Sequence, residues 1–402
     1  MQPENALNII LNKVNPVDYE LVHYNEAIGH VLLEKLVSKL DLPPYCNSAM
    51  DGFAFRYDNL KTQDKLFNKG TIKAGDKIND LFLNDGECFR IMTGAALPQD
   101  ADTVVEFEKT NVIDNMVEIK EPINKGSNIR PKGEDIRKGD SLEDLSFQVL
   151  TSARIVRLVS TGNFVFKVNR KLRVAIISTG NELKYPCENI GDNTIVESNG
   201  EYVKCTLEKI GIDVVYKGIS SDDIDSVRNI LNTSNNYDTI VTIGGISKGD
   251  FDIINLYGAK IGIKWLFNKV DQKPGKPFSF GIFNDTPVFS FPGNPLSSAF
   301  CLFYYLLPAL RKMMGFKDPY NKCIKAYLNE SYFKKNNRNI FLSVNIYFED
   351  GKVFVMPYKK QNSNIINVLM NTNGYAKIPA DLCGEIKKGT LLDVYTTGLE
   401  NL

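Results

Sequence analysis

Thr242 to Asp252, TIGGISKGDFD, ends an apolar strand-like run with Gly244, Gly245, Ser247, Lys248, Asp250 and Asp252. Glycines at such a turn let backbone N–H groups approach an anion, while the acids can hold a cation. That pairing suits a phosphorylated ligand carrying a metal, although the segment also suits a plain polar loop. Lys269 and Lys273-Pro274-Gly275-Lys276-Pro277 form a second cluster. Its prolines and glycine shape the backbone, so the lysines can act as point charges for phosphate or oxyanion; a plain basic turn is the alternative. Asp51 sits in Asn47 to Ala54, NSAMDGFA, after Leu42-Pro43-Pro44-Tyr45. A carboxylate on a stiff loop can be a metal ligand or a general base, or simply the Asp of an Asp-Gly turn. Arg130 to Asp135, RPKGED, places two bases and two acids around Gly133 and also reads as a solvated, ion-paired loop.

The elements that must position these groups differ along the chain. From Leu172, β-rich runs (LRVAII, DVVYKGI, YDTIVTI) alternate with helical ones (GEYVKCTLEKI, then a polar helix near Asp223 to Asn232). This alternation predicts a parallel sheet flanked by helices. The polar clusters fall where strands end: Ser178 to Glu182, Ser221 to Asp223, Gly244 to Asp252, and Pro292 to Pro295. Ligands of open α/β sheets bind at the carboxyl ends of strands, so the four loops are expected to converge on one crevice. Pro292 to Leu310 reads as a loop leading into a strongly apolar, buried helix. Residues 5–40 and 140–160 read as helical, and 42–136 as a β-type module inserted between them. After Asp318-Pro319, FLSVNIYFEDGKVFVMPY carries an Asp-Gly hairpin signal and opens a small β domain. The expected architecture is multidomain α/β plus β. It comprises a discontinuous helical linker (1–41 and 137–169), an inserted β-rich domain (42–136), an α/β parallel-sheet domain (170–318) and a C-terminal barrel-like β domain (319–402).

A chain of 402 residues exceeds one hydrophobic core, and 43% apolar residues support globular domains. Lysine plus arginine equals aspartate plus glutamate at 48 each, which leaves no long-range field to attract nucleic acid or an anionic membrane. Any anion site must be local. Seven scattered cysteines without a CxxC pair point to neither a disulfide framework nor zinc, and fit a reducing cytoplasm. The N-terminus lacks a secretory pattern. Ala299 to Leu310, broken by Pro308, is too short for a membrane helix, which needs roughly 20 residues. His23 and His30, seven apart in the expected helical part, have no third metal-binding partner and read as structural. Neither GxxxxGK[ST] nor GxSxG occurs, which argues against ordinary NTPase and hydrolase chemistry.

Seven segments occur in order: PPYCNSAMDGFA, MTGAALPQDADTVV, NIRPKGEDI, IISTGNEL, GGISKGDFD, KPGKPFSFG and FPGNPLSS. Together they resemble the molybdopterin molybdenumtransferase family, the MoeA enzymes of molybdenum cofactor synthesis, similar also to the E domain of gephyrin. The resemblance spans nearly the whole chain. It implies an elongated homodimer in which adenylylated molybdopterin and molybdate meet between domains of different subunits, AMP is released and Mg²⁺ assists. It places catalytic acids at Asp51, Asp135, Glu182 and Asp252, with Asp51 and Asp252 on the metal. Substrate contacts fall on Thr93, Arg130, Asp222, Gly244, Gly245, Ser247, Lys269, Lys273, Lys276 and Ser363. The adenylyltransferase that makes the substrate is an implied partner; nucleic acid and membrane are not. The sequence departs from the family pattern at Ile243, Lys248 and Asn181, at Ser343 (in place of a second arginine) and at Asn362 in Gln361-Asn362-Ser363. Two rival readings are a non-catalytic cofactor-binding scaffold and the adenylyltransferase itself, whose module resembles the sheet domain. Five acids at loop and strand ends favour an enzyme over a scaffold, and the N- and C-terminal motifs argue against the adenylyltransferase.

Overall fold

The computed structural model describes residues 1–221, 224–233, 236–245 and 258–397. Lys248, Asp222, Ser247 and Asp252 lie outside the described residues. The central unit is a six-stranded sheet flanked on both faces. Strands Asp213–Ser220, Arg173–Thr179, Thr239–Ile243 and Thr286–Phe291 run parallel in that spatial order, and Ser279–Phe283 and Lys264–Phe267 add an antiparallel edge. The runs are apolar on successive residues because both faces are covered. Val174, Ile176, Val241, Phe289 and Phe291 join one core; Ala175, Ile177, Ile240 and Val288 join the other, closed by Val227 and Leu231 of helix Ile224–Asn232.

Helix Pro295–Cys301 continues through a π turn, Leu302–Leu306, into Leu307–Met313. Pro308 has no N–H to give the preceding turn, and the π turn accommodates the missing bond. Helix Pro3–Lys13 packs Ala6, Leu7, Ile10 and Leu11 into the same core.

The helical expectation for 5–40 is corrected. The helix ends at Lys13, and Tyr19–His23 is a strand antiparallel to Val165–Asn169. Single bridges follow at Val31, Leu32 and Val37. In the second half of the expected linker, helix is confined to Ser152–Ser160, preceded by a 3₁₀ turn at Glu143–Leu145. His23 and His30 therefore share no helix face. His23 is exposed, with Nδ1 2.8 Å from Asn25 Oδ1, and His30 is buried, with Nδ1 3.1 Å from the Asn169 carbonyl.

The module at 42–136 carries its own six-stranded sheet, ordered Thr103–Glu106, Gly52–Phe55, Glu87–Ile91, Lys65–Ile72, Met116–Ile119 and Thr110–Ile113. Phe53 and Phe55 enter one small core and Ala54 the other, as alternation along a strand requires. In the C-terminal region, strands Asn339–Glu349, Lys352–Pro357, Cys323–Leu328, Leu391–Thr396 and Gly374–Ile378 close on themselves into a five-stranded barrel. Asp350 and Gly351, with φ of 47° and 72°, make the hairpin turn that the Asp-Gly pair signals.

Candidate active site

The first group of site residues is assembled by backbone bonds among three segments distant in sequence. Asn47–Ser48 pairs antiparallel with Ile129–Arg130. Ser48 N–H donates to Ala95 O at 3.0 Å, Gly94 N–H to Ser48 O at 2.8 Å, and Ala49 N–H to Asn128 O at 2.9 Å. Asp135 N–H reaches back to Leu42 O at 2.9 Å. Asp51, Thr93, Arg130 and Asp135 are thereby brought onto one stitched loop cluster. The strand after Asp51 starts at Gly52, where a Cβ would lie 1.8 Å from the Val105 carbonyl oxygen, so only glycine allows the close pairing.

Asp51 itself is exposed, and its Oδ1 accepts two bonds from Thr93, from N–H at 2.7 Å and from Oγ1 at 2.8 Å. These bonds, the backbone one foremost, hold the carboxyl below its ordinary range, with a smaller contribution from the Arg90 charge. An acid so stabilised as the anion suits a metal ligand or fixed negative charge better than a general base, which works best with a pKa near the operating pH. Thr93 is thus the orienter of Asp51. Arg130 is half-exposed and pairs with Glu134 at 2.9 Å. Among the described residues, the Asp135 carboxylate is exposed and has no hydrogen-bond or ion-pair partner.

The second group lies at the carboxyl edge of the parallel sheet. Gly244 N–H donates to Phe291 O at 3.0 Å, and a Cβ on Gly244 would stand 2.4 Å from Thr179 O in a backbone with φ +91°, so neighbouring strand ends meet through this glycine. Gly180 N–H donates to Ser220 O at 3.3 Å. Asn199, at the start of helix Asn199–Lys209, donates from Nδ2 to Gly293 O at 2.7 Å. The loops at 178–182, 244–245 and 292–295 therefore adjoin, as expected for one crevice. The Glu182 carboxylate is exposed and lies against Gly180. Glu197, buried, accepts from Gly200 N–H at 2.7 Å and so pins the start of the Asn199 helix.

The lysine loop shares this edge. Ser279 pairs with Ser290 across the antiparallel strands, so the turn preceding Ser279 emerges where strand Thr286–Phe291 ends. Val270 N–H to Lys276 O, at 3.0 Å, closes the loop. Beneath it, Gln272 is fully buried: its Oε1 accepts from the Tyr305 hydroxyl and its Nε2 donates to Gly275 O at 3.3 Å. Lys269 and Lys273 are exposed and Lys276 half-buried; among the described residues none forms an ion pair. Three uncompensated ammonium groups on one propped loop make a local positive field in a chain of zero net charge. The loop also touches the barrel, because Gln272–Lys273 pairs with Asn339–Ile340.

Ser363 enters through its backbone: its carbonyl accepts from Leu296 N–H at 3.0 Å, in the first turn of the helix after Pro292 to Pro295. Gln361 clamps Ser343, accepting from its N–H at 3.1 Å and donating to its carbonyl at 2.9 Å. Buried Ser343 thus serves here as a backbone anchor. Ile243 is buried in the sheet strand. Gln272, Tyr305, Glu197 and Asn199 were not singled out from the sequence, since each acts through a partner that only the fold brings near. No hydrogen bond or ion pair among the described residues joins the Asp51 cluster to the crevice. Nor do the described residues include a cluster of three side chains able to hold a metal.

Comparison with known proteins defines the class of fold. The chain matches the family models "MoeA N-terminal region (domain I and II)" over residues 1–162, "Probable molybdopterin binding domain" over 175–312 and "MoeA C-terminal region (domain IV)" over 325–397. A molybdopterin biosynthesis MoeA protein from Pyrococcus horikoshii OT3 superposes with a TM-score of 0.81 at 26% identity, covering 98% of this chain and 99% of that one. The molybdopterin molybdenumtransferase of Staphylococcus aureus (strain COL) is 30% identical over 399 residues, 98% of this chain and 94% of the relative. That of Staphylococcus epidermidis (strain ATCC 12228 / FDA PCI 1200) is 29% identical over 94% of this chain and 90% of the relative. The chain belongs to the MoeA family of molybdopterin molybdenumtransferases.

Proposed function

We propose that this chain inserts molybdate into adenylylated molybdopterin and releases AMP, at a site assembled from two copies of the chain. The observation that carries the reading is the division of its chemistry. A pre-oriented carboxylate stands on the inserted β module and a lysine field stands at the sheet edge; among the described residues of one chain the lysines form no ion pair and no polar link joins the two. Each half alone is incomplete for phosphoanhydride chemistry, which needs both an oxygen-ligated cation and positive groups for developing charge.

In this reading water attacks the adenylyl phosphorus and the phosphoanhydride P–O bond breaks. AMP leaves, and molybdopterin keeps its own phosphate. The two dithiolene sulfurs bind molybdenum, and one molybdate oxygen departs as water with the two thiol protons. Lys269, Lys273 and Lys276 hold the oxyanions; Gly244 and Gly245, with Asp222 and Ser247, border the substrate; Ser363 sets the loop at Pro292 to Pro295. Thr93 holds Asp51 ionised, and Arg130, Asp135 and Glu182 line the reacting groups.

The donor set fits Mg²⁺, a hard cation that takes one or two carboxylates and keeps its waters. Asp51 would supply one carboxylate and Asp252 of the other copy the second, and the ion would polarise the anhydride.

The homodimer is supported by an exposed face rich in apolar residues. In strand Tyr19–His23 and its partner Val165–Asn169, Val22, Phe166 and Val168 point inward, whereas Tyr19, Leu21 and Val165 on the opposite face are 59%, 68% and 53% exposed. Apolar faces of this kind mark association surfaces. Among the described residues no helix is long and apolar enough to cross a membrane, and all seven cysteines are free, which supports a cytoplasmic setting, with substrate handed over by the adenylyltransferase. Purified protein incubated with adenylylated molybdopterin and Mg²⁺ should release AMP and form cofactor only with molybdate present. Cofactor retention without AMP release would favour a scaffold and overturn the reading.

A further inference from the structure

A cavity lies away from both halves of the proposed active site. It measures about 600 Å³ and opens between the linker segments around residues 26–31 and 149–152 and the base of the α/β domain around 169–172, 209–212 and 311–316. That volume falls within the range of small-molecule sites. Its accessible apolar lining includes exposed Ile28 from the linker side and half-buried Ile210, Met314 and Phe316 from the other. Such a surface suits a flat or branched hydrocarbon body.

Polar groups from separate segments line the same space. Asn169, 3% exposed, closes the wall and donates from Nδ2 to Val17 O at 3.3 Å. His30, also buried, holds the Asn169 carbonyl and so fixes this strand end at the cavity wall. Arg311, in the last turn of helix Leu307–Met313, is partly buried and forms no ion pair among the described residues. Among the described residues its bonds go to neutral acceptors, Asn321 Oδ1 at 2.8 Å and Pro319 O at 3.5 Å. Desolvation lowers the pKa of this guanidinium, only partly opposed by the Asp318 charge, which is the signature of a cation short of a counter-ion. Around it, Lys171 and Lys209 line the mouth against a single acid, Glu26.

We propose that this cavity binds a small amphipathic organic anion. The apolar body would rest on Ile28, Met314 and Phe316, with one negative head group on Arg311. Because such a ligand touches both the linker and the α/β domain, binding would raise the stability of their docked arrangement.

The test uses the full-length protein in its native oligomer and 8-anilinonaphthalene-1-sulfonate, with the uncharged N-phenyl-1-naphthylamine as its apolar control. The expected result is one saturable sulfonate site per chain, a rise in melting temperature on saturation, and roughly tenfold or weaker binding of the neutral analogue. Arg311→Gln should weaken the sulfonate by roughly tenfold and Arg311→Lys by less, because the lysine restores charge without the fork. Met314→Trp, which puts a bulkier side chain on the cavity lining, should abolish binding and keeps the test valid if Arg311 variants fold poorly. Absence of saturation, equal binding of the neutral analogue, or unchanged binding in both Arg311→Gln and Met314→Trp would overturn the proposal.

Discussion

The Asp51 cluster and the sheet-edge crevice solve the same positioning problem by different means. In the β module, main-chain bonds between Asn47–Ser48, Gly94–Ala95 and Asn128–Arg130 fix the loops, and the Asp51 carboxylate is oriented by one neighbour, Thr93. At the sheet edge, buried side chains support exposed loops from below: Tyr305 and Gln272 under the lysine turn, Glu197 under the helix that presents Asn199. The first arrangement places negative charge and the second positive charge. The contrast teaches that damage should spread differently: a change near Asp51 should remain local, whereas a change beneath the lysines should alter several anion contacts together.

The sharpest way to break the contrast is Asp51→Asn. The amide oxygen can still accept both Thr93 bonds, so the loop keeps its shape while the charge is lost. Turnover should fall about a hundredfold or more with the melting temperature nearly unchanged. A large loss of stability with turnover intact would mean that Asp51 is only a turn residue. Next in size come Lys273→Ala and Lys276→Ala, each expected to weaken binding of molybdate or adenylylated substrate by roughly tenfold at constant melting temperature. Calorimetric titration beside melting curves separates this from a structural turn, which predicts unchanged affinity and a lowered melting point.

Tyr305→Phe tests the props. It leaves Gln272 Oε1 buried without its donor and should cost about 1–3 kcal/mol of stability. It should also raise KM for the anionic substrate more than it lowers kcat, because the displaced loop binds poorly but reacts normally once occupied. Equal effects on KM and kcat, or none, would separate the pair from the lysine turn.

A smaller effect concerns acid. Burial is the largest influence on Asp102 and pushes its carboxyl up, but bonds from Tyr57 N–H, Lys125 and Thr103 together hold it below its ordinary value. Asp41 is lowered first by Lys138 N–H. The folded carboxylates bind protons less readily than the unfolded ones. Their contribution is therefore present above about pH 4 and lost as pH falls through the depressed folded values. Melting curves should show the β module destabilised on acidification in that window, and Asp102→Asn should reduce the slope.

Much of this was legible from residue order. Apolar runs ending in Gly, Ser and Asp marked the strands Arg173–Thr179 and Thr239–Ile243 and the loops at their carboxyl ends, because a doubly covered parallel strand is hydrophobic throughout. Asp350-Gly351 marked the barrel hairpin through its required positive φ. Residues 19–37 were misread as helix because their partners lie far along the chain: Tyr19 pairs with Asn169, Val31 with Val149 and Leu32 with Val168. Local periodicity cannot report such pairing. The Tyr305 to Gln272 prop was hidden for the same reason, since a glutamine beside a lysine looks like surface until a tyrosine from a distant helix covers it.

The composite nature of the site is tested most directly by mixed dimers. Tag-purified heterodimers pair an Asp51→Asn chain with a chain carrying Lys273→Ala and Lys276→Ala. If each site draws Asp51 from one copy and the lysines from the other, one of the two sites is intact. AMP release should then return to about half that of the wild type, whereas either homodimer stays inactive. A heterodimer as inactive as its parents would place both groups in one chain and contradict the account.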